Sequence, residues 1–270
     1  MKRSNTFLLT MLGFGFAFFY VPILSMIVYS FNGSRLATVW GGFSFKWYVS
    51  LFSNAQIEAA FLLSLKIALI SATFATILGT MAAIALVRFP KFRGRTLFSG
   101  LVNAPLIMPE VITGISALIF FILLAKLIGW PAQRGFATIT LAHITFSMVF
   151  VTTIVQARLS QSDRAIEEAA MDLGSKPWQV MWDITLPVIS PAILSGWLLA
   201  FTISLNDVVI TSFTTGPGNT TLPLLIWSKV KLGVTPDINA LATITVLVVG
   251  LGVVIAGIAM SRADRRRALD

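Results

Sequence analysis

Two carboxylates stand where an apolar chain tolerates them least. Glu110 follows Asn103-Ala-Pro105-Leu-Ile-Met-Pro109, and Asp207 ends Ser204-Leu-Asn206-Asp207, each inside a long apolar segment. A charged side chain in hydrocarbon is expensive, so it faces a partner, a set of backbone amides or a wet cavity. At helical spacing Asn103, Thr113 and Gly114 share the face of Glu110, and Ser204 and Thr211 share that of Asp207. Pro105 and Pro109 remove backbone donors and should kink or break their helix, freeing carbonyl groups that are potential cation ligands. One reading is a path that attracts cations, with Glu110, Asp207, Asn206, Ser204, Thr211 and Asn103 as its candidate residues. The other is structural: either acid bonded to Lys66, to Lys126 or to helix-end amides. His143, the single histidine, lies beside Thr140 and Thr145 and reads as a packed, hydrogen-bonded residue. Glu110, His143 and Asp207 have no catalytic spacing, so no catalytic residue and no metal site is expected.

The elements that hold these residues follow from composition. Of 270 residues, 56% are hydrophobic and 11% charged, and the mean hydropathy is +0.87. A soluble domain of this size carries about 25% charged residues. Segments 4–34, 67–87, 111–125, 135–157 and 238–261 contain no Asp, Glu, Lys or Arg. Crossing hydrocarbon takes about 20 apolar residues in a helix. Backbone groups must be satisfied internally there, and runs without period-2 alternation exclude a barrel. The chain reads as an all-α, polytopic membrane protein with six transmembrane helices, at about 7–30, 60–87, 97–125, 136–157, 188–213 and 237–260. Residues 1–270 form one transmembrane domain, without internal repeat or second domain. The first apolar run is too long for a signal peptide and lacks a small-residue cleavage site, so it should remain as an anchor.

Net charge is +9, which raises the question of nucleic acid. The positive residues instead cluster in short loops beside the spans. Thirteen of the 20 fall on the side of Lys2, Arg88, Arg158 and Arg262, and seven on the other. The positive-inside rule then places both termini in the cytoplasm, and no nucleic-acid partner is expected. Loop 32–58 is the longest outside segment, and its Trp40, Trp47 and Tyr48 suit either an interfacial anchor or a docking surface. A short interfacial helix is expected over 223–231, after Gly216-Pro217-Gly218. There are no cysteines, hence no disulfide and no thiolate metal site.

One long cytoplasmic loop, 158–187, is patterned. Residues 158–173 read as a helix with a mixed face, and Ala169 and Ala170 would let another surface approach closely. Gly174 supplies positive φ where that helix ends. Ser175 should cap a second helix, with Pro177 in its first turn and Trp178, Val180 and Met181 as an apolar knob. Pro187 should start the next span. Alone, this pattern fits an amphipathic helix lying on lipid.

Glu168-Ala169-Ala170, then Gly174 after three residues and Ile184-x-Leu186-Pro187 after nine more, resembles the EAA loop of bacterial ABC-importer permeases. The resemblance implies a type I, MetI-like permease fold in the bacterial inner membrane. It also implies that Glu168, Ala169, Ala170, Gly174, Ser175, Pro177, Trp178, Ile184, Leu186 and Pro187 engage a cytoplasmic ATPase. The chain has no G-x-x-x-x-G-K-[ST] phosphate loop, so ATP and Mg are expected on a partner ATPase dimer and no cofactor on this chain. Further stretches resemble spermidine/putrescine permeases, particularly the putrescine type: 42–48, Asn103 to Ile112, Gly216 to Pro223 and Gly233 to Thr243. That resemblance implies polyamine transport, a second homologous permease subunit and a periplasmic polyamine-binding protein. In that subfamily two adjacent acids are expected in the fifth span; here the first is Asn206. The alternatives are a permease for another solute, such as an amino-acid derivative, oxyanion or iron, and a cation-coupled secondary transporter. An intramembrane enzyme is a third.

Overall fold

The structure is a computed structural model and describes residues 2–36, 39–89, 91–233, 235–247 and 250–251. Its ordered elements are helices, apart from one isolated antiparallel bridge between Asn32 and Phe43. In chain order these are α1 (Lys2–Ser30), α2 (Lys46–Phe52), α3 (Ala55–Arg88), α4 (Arg95–Ile107), α5 (Glu110–Ile128) and α6 (Phe136–Gln161). After these come α7 (Arg164–Asp172), α8 (Pro177–Val180), a π-helical turn (Met181–Thr185), α9 (Leu186–Asn206), α10 (Val209–Thr214) and α11 (Leu222–Leu232). A twelfth helix, α12, covers Pro236–Leu247. Among the described residues, five helical segments are long and apolar enough to cross a membrane: Thr6–Ser30, Ala55–Arg88, Glu110–Ile128, Phe136–Gln161 and Pro177–Asn206.

Three boundaries differ from the sequence reading. The span expected over 97–125 is two helices, because Met108 is extended before Pro109, at φ −82° and ψ 133°. A residue preceding proline is pushed out of the helical region, and proline itself donates no hydrogen bond. Pro105 stays inside α4. The span expected over 188–213 also divides, at Asp207 and Val208, although neither glycine nor proline marks the place. Its helical path starts earlier than expected, at Pro177, and Pro187 does not begin it. Pro187 has no N–H to return to the carbonyl one turn back. The winding before it widens, with Leu186 N–H bonding the Met181 carbonyl five residues earlier. Of the sixth expected span, 237–260, α12 supplies the first part, and most of the remainder lies outside the described residues. The short helix after Gly218 is α11.

Contacts divide the chain into two compact units, residues 59–225 and residues 1–58 with 226–270. In the first, Ala72, Ala75 and Ala83 of α3 pack with Val151, Val155 and Leu159 of α6 and with Ile189 and Ala200 of α9. Lipid tails are as apolar as leucine, so helices associate by close packing rather than by escape from water. Glycines make that packing possible. A Cβ on Gly79 would lie 2.7 Å from the Met148 carbonyl oxygen, and one on Gly196 would lie 3.1 Å from Val151. A smaller cluster joins Phe121, Ala142, Phe146 and Ile210, tying α5 and α10 to α6.

In the second unit, the loop after α1 closes on one buried amide. Asn32 Oδ1 accepts from Ser34 N (3.0 Å) and Gly41 N (2.7 Å), while its Nδ2 donates to the Leu36 and Val39 carbonyls. Trp47 Nε1 donates to the Asn32 carbonyl at 2.7 Å, and Tyr48 hydrogen-bonds Ser30 at 2.6 Å. Trp47 and Tyr48 therefore hold the loop to itself, while Trp40, Phe43, Phe45 and Phe52 are exposed.

Gly79→Val should lower the melting temperature of the purified protein in detergent, since overpacking of this kind costs about 1–3 kcal/mol. Gly13→Val, in open space on α1, should leave it near the parental value. Equal melting temperatures for the two variants would contradict the close approach of α3 and α6.

Candidate functional site

Loop 158–187 is built from two short helices and a glycine turn. Asp163 caps α7, its Oδ1 accepting from Ala165 N at 2.9 Å. Where α7 ends, Gly174 has φ +92°, Ser175 N donates to the Ala170 carbonyl (3.0 Å) and Gly174 N to that of Met171 (2.9 Å). This pair of reverse bonds is a Schellman turn, which glycine closes without Cβ strain. Ser175 does not cap α8, contrary to expectation. Lys176 occupies that position, and its N–H is held by Gln179 Oε1 at 2.8 Å. Pro177 opens α8 as expected. The apolar knob also differs: Val180 is buried, and Trp178 and Trp182 are the exposed aromatics, with Leu173 beside them in sequence at the turn. Ala169, Gly174, Pro177 and Pro187 are exposed, whereas Ala170, Ser175, Ile184 and Leu186 are half-buried.

Of the two adjacent acids, Glu168 faces outward and pairs along its own helix with Arg164 at 3.1 Å. Glu167 faces in. Its Oε1 accepts from Arg88 Nη2 (2.8 Å) and Nε (3.2 Å) and from Thr185 Oγ1 (2.9 Å). From sequence, Glu167 is one acid of the mixed helix face and Arg88 one of the loop cations, with no pairing expected between them. They are 79 positions apart, and nothing local in either stretch signals the pairing.

The second polar site lies at the break between α9 and α10. Asp207 is extended, at φ −68° and ψ 131°, and acts as a cap for α10. Its Oδ1 accepts from Ile210 N (3.3 Å), and its Oδ2 accepts from Thr211 N (2.7 Å) and Thr211 Oγ1 (2.8 Å). His143 Nε2 lies 3.2 Å from the same Oδ2 and 3.0 Å from Thr211 Oγ1. The other ring nitrogen, Nδ1, is 2.7 Å from Ser204 Oγ, which is 2.8 Å from Ser71 Oγ. The network thus joins α3, α6, α9 and α10. The Asp207 side chain is only 7% exposed and that of His143 3%, so both are enclosed. Among the described residues, Asp207 engages helix-end amides and His143, and not Lys66 or Lys126. His143 is packed and hydrogen-bonded as expected; Thr140 and Thr145 instead bond to carbonyls of their own helix.

Ser204 and Thr211 thus join Asp207; of the stripe expected around Glu110, Thr113 and Gly114 share α5 with it and Asn103 does not. The break at Met108 puts Asn103 on a different helix, where its Nδ2 donates to the Ser99 carbonyl at 2.8 Å. Gly114 is buried against Phe213, whose ring a Cβ there would meet at 2.5 Å. Glu110 is exposed in the first turn of α5, and among the described residues its carboxylate has no hydrogen-bond or ion-pair partner. Asn206 is exposed as well. Chemically, then, Asp207 holds a fixed geometry, and Glu110 is a carboxylate open to a cation. Beside it, Pro105, Met108, Thr113, Ser116, Phe120 and Thr145 contribute to the lining of a largely apolar crevice of about 470 Å³.

A protein family described as "Binding-protein-dependent transport system inner membrane component" matches residues 75–269. The chain belongs to this family. It is a multi-pass inner-membrane permease component of a bacterial importer of the ABC class, and not an enzyme by family. It is 54% identical, over 256 residues, to the putrescine transport system permease protein PotI of Escherichia coli K12, covering 95% of this chain and 91% of that protein. Identity to the spermidine/putrescine transport system permease protein PotC of the same strain is 43% over 247 residues, covering 92% and 90%. Among solved structures, one chain of a bacterial ABC transporter that imports the acidic polysaccharide alginate superposes with TM-score 0.73 at 20% identity, covering 96% of this permease and 94% of that chain. A chain of the MetNI methionine transporter superposes with TM-score 0.60 at 16% identity, covering 76% and 94%. These two likenesses establish the fold of the permease.

Asp207→Ala should destabilise the permease, since a lost cap costs about 0.5–2 kcal/mol and here also strands His143. Asn206→Ala, at the exposed neighbouring position, should leave the melting temperature in detergent unchanged. If the two variants melted alike, Asp207 would not be the cap that the geometry makes it.

Proposed function

We propose that this chain is the membrane-spanning permease subunit of an ATP-driven importer of polyamines, putrescine or spermidine, delivered by a periplasmic polyamine-binding protein. The observation that carries this reading is the identity of 54% and 43% to two permeases whose names specify those substrates. The site chemistry supports it independently. A substrate carrying two or more ammonium groups is served by a carboxylate that no side chain already occupies, and Glu110 is such a group. Asn206 and Asn103 provide neutral polar contacts. Asp207, Ser204 and Thr211 belong to the pathway as its frame, fixing where the broken helix reopens rather than binding the amine directly. The crevice beside Met108 and Phe120 offers apolar surface suited to a methylene chain. Binding should be weak, since a transit path has to release what it admits.

In this reading residues 1–270 form one permease domain of six spans, with both termini cytoplasmic. It pairs with a second homologous permease. Loop 158–187 docks on a cytoplasmic ATPase dimer through the outward-facing Glu168, Ala169, Gly174, Pro177 and Trp178. Ala170, Ser175, Ile184, Leu186 and Pro187 form the base of that handle. ATP and Mg are bound by the ATPase, and closure of the dimer brings the two coupling helices together and turns the path outward.

The decisive experiment is uptake into proteoliposomes containing both permeases and the ATPase, with binding protein outside and ATP inside. Putrescine or spermidine uptake that requires both ATP and the binding protein is expected. Uptake of an amino acid or sulfate alone would keep the importer and discard the polyamine; uptake indifferent to ATP would discard the importer. Glu110→Gln should lower polyamine uptake about tenfold at limiting substrate, the scale of one hydrogen bond to a charged group, with assembly intact. Parental uptake by that variant would remove Glu110 from the path.

A further inference from the structure

The inward-facing acid of the cytoplasmic loop is the feature that the proposed function leaves unused. Glu167 is 9% exposed, and one of its oxygens receives three donors from two other elements. Arg88 is the last residue of α3, and Thr185 is the last residue of the π-helical turn that leads into α9. The Arg88 and Glu167 side chains are 13% and 12% exposed, so water competes little for their pairing. Arg95, on the next helix, adds a donor to the same corner, its Nη2 reaching the Leu86 carbonyl at 3.2 Å.

Accepting the coupling role of loop 158–187, we propose that Glu167 is a positioning residue that pins the coupling helix α7 to α3 and to the base of α9 at once. α7 is also joined to the membrane helices through its chain connections, and it packs against α8 and the π-helical turn of its own loop. The chain connections are weak transmitters: Ser162 and Asp163 are non-helical on one side, and on the other stand the glycine turn and the π-helical turn. A π-helical turn lacks the regular one-turn-back bonding and bends more readily than α-helix. Thr185 stands at its far end, where α9 proper begins. With Glu167 bonded there, a displacement of α7 is delivered beyond the soft turn, and Arg88 carries the same displacement to α3. A charge this enclosed does not leave its partner without stranding it, so the connection holds under load. Glu168, one residue on, points outward, so the two acids divide the contacts between the ATPase side and the membrane side.

The test uses the complete transporter in proteoliposomes and reads amine imported per ATP hydrolysed, alongside co-purification of the ATPase. Glu167→Gln and Arg88→Met should each leave the ATPase attached and active while import per ATP falls about fivefold or more, the lower end of coupling between two sites. Thr185→Val, which removes a donor but no charge, should give a smaller fall. The exchanged variant, Arg88→Glu with Glu167→Arg, should recover most of the ratio. A parental ratio in both single variants would overturn the proposal. So would loss of the ATPase from the single variants without recovery on exchange, because the pair would then merely hold the loop folded. If the parental complex imports a different solute with ATP, the ratio is read with that solute and the pin is judged as before. Parental uptake that ignores ATP would remove the coupling reading itself, and the pin with it.

Discussion

Hydrocarbon cannot hydrate a peptide group, and the architecture turns on how this chain interrupts apolar helices without leaving amides bare. It does so twice. At the break between α4 and α5 the backbone closes on itself, with Met108 N returning to the Ala104 carbonyl and the Pro109 carbonyl receiving Ile112 and Thr113. Proline stands where a donor would otherwise be stranded. At the break between α9 and α10 there is no proline, and a carboxylate receives the Ile210 and Thr211 amides instead. Both breaks place an acid at the N-terminal end of the helix that follows, where the helix dipole favours negative charge. Each acid is therefore partly accounted for by the backbone it sits on, before any solute or side-chain partner is considered.

The breaks are tolerable because the helices around them are close-packed. α6 is the most enclosed of the candidate spans, with 61% of its apolar window buried. It carries His143 to the α9 break and presents Met148 and Val151 to Gly79 and Gly196. Small residues allow backbones to meet, and that contact fixes α3, α6 and α9 closely enough for a hydrogen-bond chain to run from Ser71 through Ser204 and His143 to Asp207. A network spread over four helices holds only when all of them are held, which makes the polar site a consequence of the apolar packing.

Much of this was legible in the residues, for identifiable reasons. Long uncharged runs disclose spans, Pro109 discloses a break, and Gly174 after an alanine-containing helix discloses a left-handed turn. Other features depend on which side of a helix is enclosed, and hydrophobic periodicity is silent when every side is apolar. The face assigned to Glu110 lost Asn103 because the break lay between them, so helical spacing no longer applied across it. Asp207 kept Thr211 because it bonds the new helix directly, and it kept Ser204 through His143, which bridges the two. Ser175 has the right chemistry for a cap, yet the Schellman turn uses its N–H and the cap position of α8 falls to Lys176. The Arg88–Glu167 contact joins residues that share no local pattern at all.

What separates the acids of the permease is how much of each is already committed. Asp207 and Glu167 have partners on several elements and little exposure, and displacing either would leave a buried charge uncompensated, at a cost of about 3–5 kcal/mol in the fully enclosed limit. Such groups set geometry. Glu168 is paired within its own helix and exposed, where an ion pair contributes about 0–1 kcal/mol and exchanges readily. Glu110 is not paired at all among the described residues. A permease needs both kinds, since a path that is rigid everywhere cannot change access and one that is open everywhere cannot transmit a push. The committed acids stand where several helices meet, at the α9–α10 break and at the root of loop 158–187. In the proposed import cycle the uncommitted ones are those left free for the solute and the ATPase.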